Sequence, residues 1–221
     1  MAEKSNANSA RAKMIEKARA RRQSKQRWLW VVSGFVILLV IVGAFLLLRP
    51  KSATPASTTQ TNNAEANLPA TDSNGEIRGL QKFADLPRDH QIGTLSYPQN
   101  PPVGGIHNPA WQNCGIYNQP VPNENAVHSL EHGAVWITYR PDLPAAEVEK
   151  LQALIRGHDH GLLSPYPNLP APIVISAWGL QVQVQVADDP RLPLFIQKYE
   201  NGPQTPEPGA VCNGGVGAPV Q

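Results

Sequence analysis

The longest uncharged apolar stretch in the chain is Trp28 to Leu48, 21 residues. A helix of about 20 apolar residues crosses the hydrocarbon core of a bilayer. Arg27 and Arg49 close the stretch, and Trp28 and Trp30 stand where amphipathic rings favour the membrane–water interface. The stretch exceeds the roughly 7–15 apolar residues of a signal peptide and shows no small-residue cleavage site at its end. It therefore predicts an uncleaved transmembrane helix over residues 28–48.

Residues 49–76 are rich in Ser, Thr, Ala, Asn, Gln and Pro, with almost no large apolar side chains. Such a segment buries too little surface to fold and reads as a disordered linker. Patterning returns with Ile77. Ala134 to Tyr139 is β-branched and aromatic and stops at Pro141, as a strand does. From Pro144 to Arg156, Val148, Leu151, Leu154 and Ile155 recur at helical spacing, and Gly157 ends the run. Pro172 to Trp178 reads as a buried strand. Leu180 to Val186 alternates apolar and polar residues, as in a half-exposed antiparallel strand. Gly179 would be the turn between them, and Leu192 to Tyr199 a short helix. Pro and Gly are dense from Pro87 to Pro122, which predicts turns and irregular structure.

This order predicts the α+β class: one compact domain over residues 77–212, with a small antiparallel or mixed sheet and two short helices. Residues 213–221, rich in Gly and Pro, would form a flexible end.

Charge sets the orientation of the membrane segment. Residues 1–27 hold nine Lys or Arg against two acids, a balance of +7. Residues 49–221 hold ten basic and fifteen acidic side chains, a balance of −5. Positive flanks stay in the cytoplasm, so the domain would face out of the cell. The exported part is acidic, which excludes a nucleic-acid footprint. Both cysteines, Cys114 and Cys212, lie in that part. Two cysteines in an oxidising compartment usually pair, and the bridge would close a loop of about a hundred residues, worth about 4–5 kcal/mol in the chain-entropy model.

All six histidines fall between His90 and His160. Imidazole is the side chain most used to hold a metal or move a proton near neutral pH. His90, His107, His128 and His132 lie within 43 residues, with Asp89 and Glu131 among them. His107 follows Pro101-Pro102 and Gly104-Gly105, where glycine permits close backbone approach to a ligand. His158-Asp159-His160 is a weaker candidate, because a helix C-terminus also favours histidine through its dipole. Both methionines are in the tail, so a thioether Cu(I) carrier is disfavoured. Imidazole with carboxylate suits Zn²⁺ or Cu²⁺, and also Fe or Mn.

His128-Ser129-Leu130-Glu131-His132 matches the inverse zinc-protease spacing. Gly133 follows at once, so only Glu124 to His132 could be helical, and two turns fall short of a protease helix. On a strand, His128 and His132 would lie about 13 Å apart, too far for one metal. Either a bulge at Glu131–Gly133 or a helical turn breaks regular geometry here, or only one of the pair belongs to a shared site. The first alternative predicts that His107, His128 and His132 converge, with His90 as fourth member and Glu131 as a carboxylate in or beside the ligand set. No phosphate-binding loop, dinucleotide fingerprint or Gly-x-Ser-x-Gly elbow is present.

Several strings fall into a familiar arrangement. They are Tyr97; Pro101-Pro102 with Gly105-Ile106-His107-Asn108; Trp111 with Gly115-Ile116-Tyr117; Val127-His128-Ser129-Leu130-Glu131-His132-Gly133; Tyr139-Arg140-Pro141; and Ala177-Trp178-Gly179. Together they resemble the family called domain of unknown function 3105, over about residues 78–212. The resemblance implies a bacterial membrane-anchored protein with one exported domain and no assigned reaction. Gly104 departs from the small residue usual in that place. Taken together, the chain reads as a single-pass membrane protein whose domain binds a divalent transition metal through its histidines. Two other readings stand beside it. One is a non-enzymatic envelope module, with Trp111, Trp136 and Trp178 in a polar-aromatic core, that binds an envelope protein or the cell wall. The other is a metallohydrolase.

Overall fold

The computed structural model describes residues 69–220. The basic tail, the 28–48 stretch and most of the linker lie outside the described residues. Among the described residues, no helix is long and apolar enough to cross a membrane.

The elements, in chain order, are β1 (Gln81–Lys82), β2 (Gly115–Ile116), α1 (Asn123–Glu131), β3 (Val135–Tyr139), α2 (Ala145–Ile155), β4 (Gly161–Pro165), β5 (Ile173–Ala177), β6 (Leu180–Val184) and α3 (Arg191–Tyr199). The strands form one mixed sheet in the order β1-β6-β5-β3-β4-β2. β3 is central. It pairs antiparallel with β5, with Ile137 opposite Ile175, and parallel with β4, with Ile137 opposite Leu163. α2 is the crossover from β3 to β4, as a parallel pair requires. β5 and β6 form a hairpin that turns at Gly179, whose φ of 69° is open to glycine.

Both faces of the sheet are covered, which explains why β3 and β5 read as near-continuous apolar runs. Val135, Ile137 and Tyr139 alternate to one face, where Leu151 and Ile155 of α2 and Leu192, Phe195 and Ile196 of α3 pack. Trp136 points to the other face, against Ala126, Val127 and Leu130 of α1 and the irregular chain before it. Each fully buried Leu or Phe contributes about 1.5–3 kcal/mol.

The α+β class holds, with four differences in detail. The sheet is mixed, one of the two kinds expected, but it has six strands, and the described residues hold three helices rather than two. The added helix, α1, is regular over nine residues where broken backbone was expected. The strand Gly161–Pro165 was not anticipated, because its partner β3 holds it in place. β6 is more buried than half-exposed: Gln181 is buried and donates to Pro101 O at 3.0 Å and to Ser176 Oγ at 3.1 Å, and Gln183 is partly buried. Pro87 to Pro122 is irregular, as read, except for β2.

The Cys114–Cys212 bridge is present, 98 residues apart in sequence. It ties a C-terminal strap to the segment before α1. Cys114 N donates to Cys212 O at 2.8 Å, Asn113 N to Val216 O at 2.8 Å and Val216 N to Trp111 O at 2.9 Å. The end read as flexible thus runs beside residues 111–114.

Candidate metal centre

α1 is the element around which the site is built, and it is almost wholly buried from Asn125 onward. Proline precedes it and no side chain caps it. Instead, residues 108–112 run alongside and offer carbonyls two residues apart. Asn108 O accepts from His128 Nδ1 at 2.6 Å, Ala110 O from Asn125 Nδ2 at 2.6 Å and Gln112 O from Ser129 Oγ at 2.6 Å. These three carbonyls satisfy the polar side chains of α1 inside the domain. Ser129 is committed to this role.

His107 comes from the loop beside α1. The β5–β6 hairpin fixes that loop: Gly179 N donates to Val103 O at 2.7 Å, and Gln181 holds Pro101 O. Gly104 sits at φ 149°, and a Cβ there would meet Leu86 Cδ1 and the Trp178 ring. Its small size therefore admits the tryptophan that packs edge-on against His107 at 5.9 Å. His90 lies beside His107 in a short parallel bridge. Gln91 N donates to His107 O at 2.7 Å and His107 N to Asp89 O at 3.1 Å, so Asp89 contributes its backbone.

The rings of His90, His107 and His128 converge, with centroids 4.7 to 4.9 Å apart. One potential ligand atom from each, and one from Glu131, all lie within 4.8 Å of one another. Zinc at 2.0–2.1 Å from nitrogen sets tetrahedral ligands about 3.3 Å apart, so a small contraction would close the set. His107 is fully buried, and Glu131 and His128 nearly so.

Hydrogen bonds fix which nitrogens face inward. His107 Nδ1 donates to Gly105 O at 2.8 Å and His128 Nδ1 to Asn108 O. Each ring then presents Nε2 with its lone pair. Such outer hydrogen bonds orient imidazole for a metal and raise its basicity. His107 Nε2 lies 2.9 Å from Glu131 Oε2, yet neither buried atom has a hydrogen-bond partner.

Burial pushes the His107 and His128 imidazoles toward the neutral form, His128 to about 4. The neighbouring histidines push His128 the same way. Burial, then Glu207, raises the Glu131 carboxyl. Neutral imidazole is the form that binds metal.

Helical geometry changes the expected grouping. His128 and His132 stand four apart on one face of α1, with centroids 4.5 Å apart, not the 13 Å of a strand. Glu131, not His132, completes the group with His90 and His107. His132 turns to a second group with His128 and Glu207. Glu207 gave no sequence signal: it sits in the Pro-rich segment that the Cys212 bridge holds, 75 residues beyond His132. Trp111 packs against both His128 and His132, at 5.8 and 4.9 Å. Trp136 instead bonds Ser164 Oγ at 3.0 Å. His158 and His160 stand apart from both groups. His158 Nδ1 meets Glu200 Oε2 at 2.6 Å, and His160 Nε2 meets Ala210 O at 2.9 Å.

A mixed sheet with a buried imidazole–carboxylate cluster over one face thus defines the protein as an α+β domain with side chains of types that can hold a metal grouped inside it. The chain matches the family model described as protein of unknown function (DUF3105) over residues 90–214, more than half its length, and belongs to that family. The match spans every residue of both groups. No curated protein matches the chain, and no solved structure does.

Proposed function

We propose that this protein binds a divalent transition metal, zinc or copper(II), through His90, His107, His128 and Glu131, in a domain that Trp28–Leu48 anchors to the outer side of the cell membrane. One observation carries the reading. Two lone-pair atoms, His107 Nε2 and Glu131 Oε2, face each other in the buried interior without a hydrogen bond. Leaving such groups unpaired costs free energy, and a cation between them removes that cost. A polar-aromatic core for partner binding would account for the tryptophans beside the imidazoles, and would need a proton on Glu131 to satisfy this pair. The ligand set of three nitrogens and one oxygen suits a borderline cation. Both thiols are consumed in the disulfide, so no thiolate enters the set.

Elemental analysis of the full chain, purified in detergent, tests the reading. About one zinc or copper per chain is the expected result. Protein that holds no metal, and takes up none from Zn²⁺ or Cu²⁺, overturns it.

A metallohydrolase is the second reading, and the observation that favours it is the exposure of His90. Its side chain is 44% exposed, whereas those of His107 and Glu131 are buried. If water replaces His90, then His107, His128 and Glu131 leave the open position that catalytic zinc sites keep. His90→Ala with metal retained and ester hydrolysis gained or kept would favour this reading.

A further inference from the structure

The second group, His128, His132 and Glu207, has its own geometry. Its ligand atoms lie within 4.8 Å of one another. His132 Nε2 is 3.5 Å from Glu207 Oε2. Val211 O accepts from His132 Nδ1 at 2.8 Å, so His132 also presents Nε2. The Trp111 ring walls it at 4.9 Å. Glu207 N donates to Glu131 O at 3.1 Å, which seats the Glu207 segment on the end of α1. Two histidines four apart on a helix, plus a carboxylate, form a three-ligand set for a divalent ion.

The two groups differ in access and share one ligand. The Glu207 side chain is 49% exposed, whereas Glu131 is buried. His128 belongs to both groups. Its Nδ1 is committed to Asn108 O, which leaves Nε2 as the nitrogen free to bind. A neutral imidazole with one free lone pair ligates one ion at a time. The two groups therefore cannot both be complete.

We propose that His128, His132 and Glu207 form an outer cation site that captures a divalent ion and passes it to the buried cluster, with His128 as the ligand kept throughout. The proposal rests on the metal-binding reading above. Transfer exchanges His132 and Glu207 for His107 and Glu131, with His90 closing the set. Only metal–ligand bonds change, apart from the proton on Glu131, which passes to water as the carboxylate becomes a ligand. Glu207 supplies the negative charge that draws the cation from water, and His128 keeps the ion attached as the other ligands exchange.

Cobalt(II) is the probe, because its visible absorption reports the ligand geometry. Metal-stripped full-length protein in detergent is mixed with Co²⁺ and the spectrum followed in time. Wild type should show two phases, a concentration-dependent capture and a slower transfer, and bind one equivalent at the end. Glu207→Gln should lose the first phase and load at least ~10-fold more slowly, the scale expected when a charge that steers a cation is removed, with the same final spectrum. His132→Gln should behave likewise. Glu207 is a surface side chain, so its amide leaves the fold intact. A single phase, identical in wild type and Glu207→Gln, overturns the outer site and leaves the buried centre standing. Loss of the final spectrum in Glu207→Gln also overturns it, because Glu207 would then be a ligand of the end state. Wild type that binds no cobalt overturns both readings together.

Discussion

His107 Nε2 and Glu131 Oε2 lie 2.9 Å apart inside the domain and share no hydrogen bond. The cause is a third atom: Gly105 O takes the Nδ1 proton of His107, so Nε2 carries a lone pair toward a carboxylate that only accepts. A cation resolves the conflict, and so does a proton on Glu131. We expect metal uptake to displace that proton. Glu131→Gln should lower zinc affinity beyond the roughly 10–100-fold that altered outer partners of a ligand cost. His160→Ala, whose ring serves Ala210 O and Asn201, should leave affinity unchanged. Competition against a chelator of known affinity measures both. Wild-type affinity in Glu131→Gln would remove the carboxylate from the ligand set.

The metal-free chain should lose stability as pH falls from neutrality. Unfolded histidine titrates near 6.5, whereas burial holds His128 at about 4 in the folded chain. Between those values the unfolded chain binds a proton that the folded chain does not, so stability rises with pH across the interval. For His128 the gap corresponds to roughly 3 kcal/mol, present in full above the unfolded value and lost by about pH 4. His107, also lowered by burial, acts in the same direction. Glu131, raised by burial, opposes them, because its folded carboxyl holds a proton that the unfolded one has released. The His128 interval sets the expected direction of the net change, a rise with pH. Thermal unfolding of chelator-treated protein across the acid range checks the sign. A melting temperature that falls as pH rises would reverse the assignment of neutral imidazoles.

The proposed anchor has its own test. Residues 1–27 carry a balance of +7 and the 28–48 stretch carries no charge. Positive flanks are retained in the cytoplasm. Protease added to spheroplasts should digest the domain and spare an epitope placed in the first 27 residues. An accessible tail with a protected domain would invert the topology.

What the sequence made legible follows from where the forces lie. Val135–Tyr139 and Ile173–Ala177 announce themselves because both sheet faces are covered and every position is apolar or small. Gly161-Leu162-Leu163-Ser164-Pro165 carries little strand propensity. It is extended because β3 pairs with it along its whole length, a tertiary effect that local pattern does not hold. The histidine cluster was legible as a concentration of imidazoles, but its membership was not. That depended on α1 being a regular helix. Its period turns Glu131 toward His107 and His132 toward Glu207. The helix's polar side chains are held by the carbonyls of Asn108, Ala110 and Gln112, which accept from His128, Asn125 and Ser129, partners that local pattern does not reveal. Glu207 was beyond reach, because tertiary ties bring it to α1: Asn201 N to Gly133 O, Glu207 N to Glu131 O and the Cys212 bridge.

That strap provides the last test, since it separates the two groups. Cys114 and Cys212 close a loop of 98 residues. Removing such a bridge costs about 4–5 kcal/mol in the chain-entropy model, on the order of 10 °C in melting temperature for a domain this size. The strap carries Val211 O, which orients His132, and the segment that carries Glu207. It carries none of the atoms that orient His107 or His128, whose Nδ1 partners are Gly105 and Asn108. Cys114→Ser with Cys212→Ser should therefore melt earlier and load metal more slowly, yet reach the same final stoichiometry below its melting point. Mass spectrometry without reductant should first show the two cysteine peptides linked in wild type. A doubly substituted chain that melts as wild type does would show that the bridge constrains nothing. One that folds but binds no metal would show that the buried cluster depends on the strap, against the division of roles drawn from these hydrogen bonds.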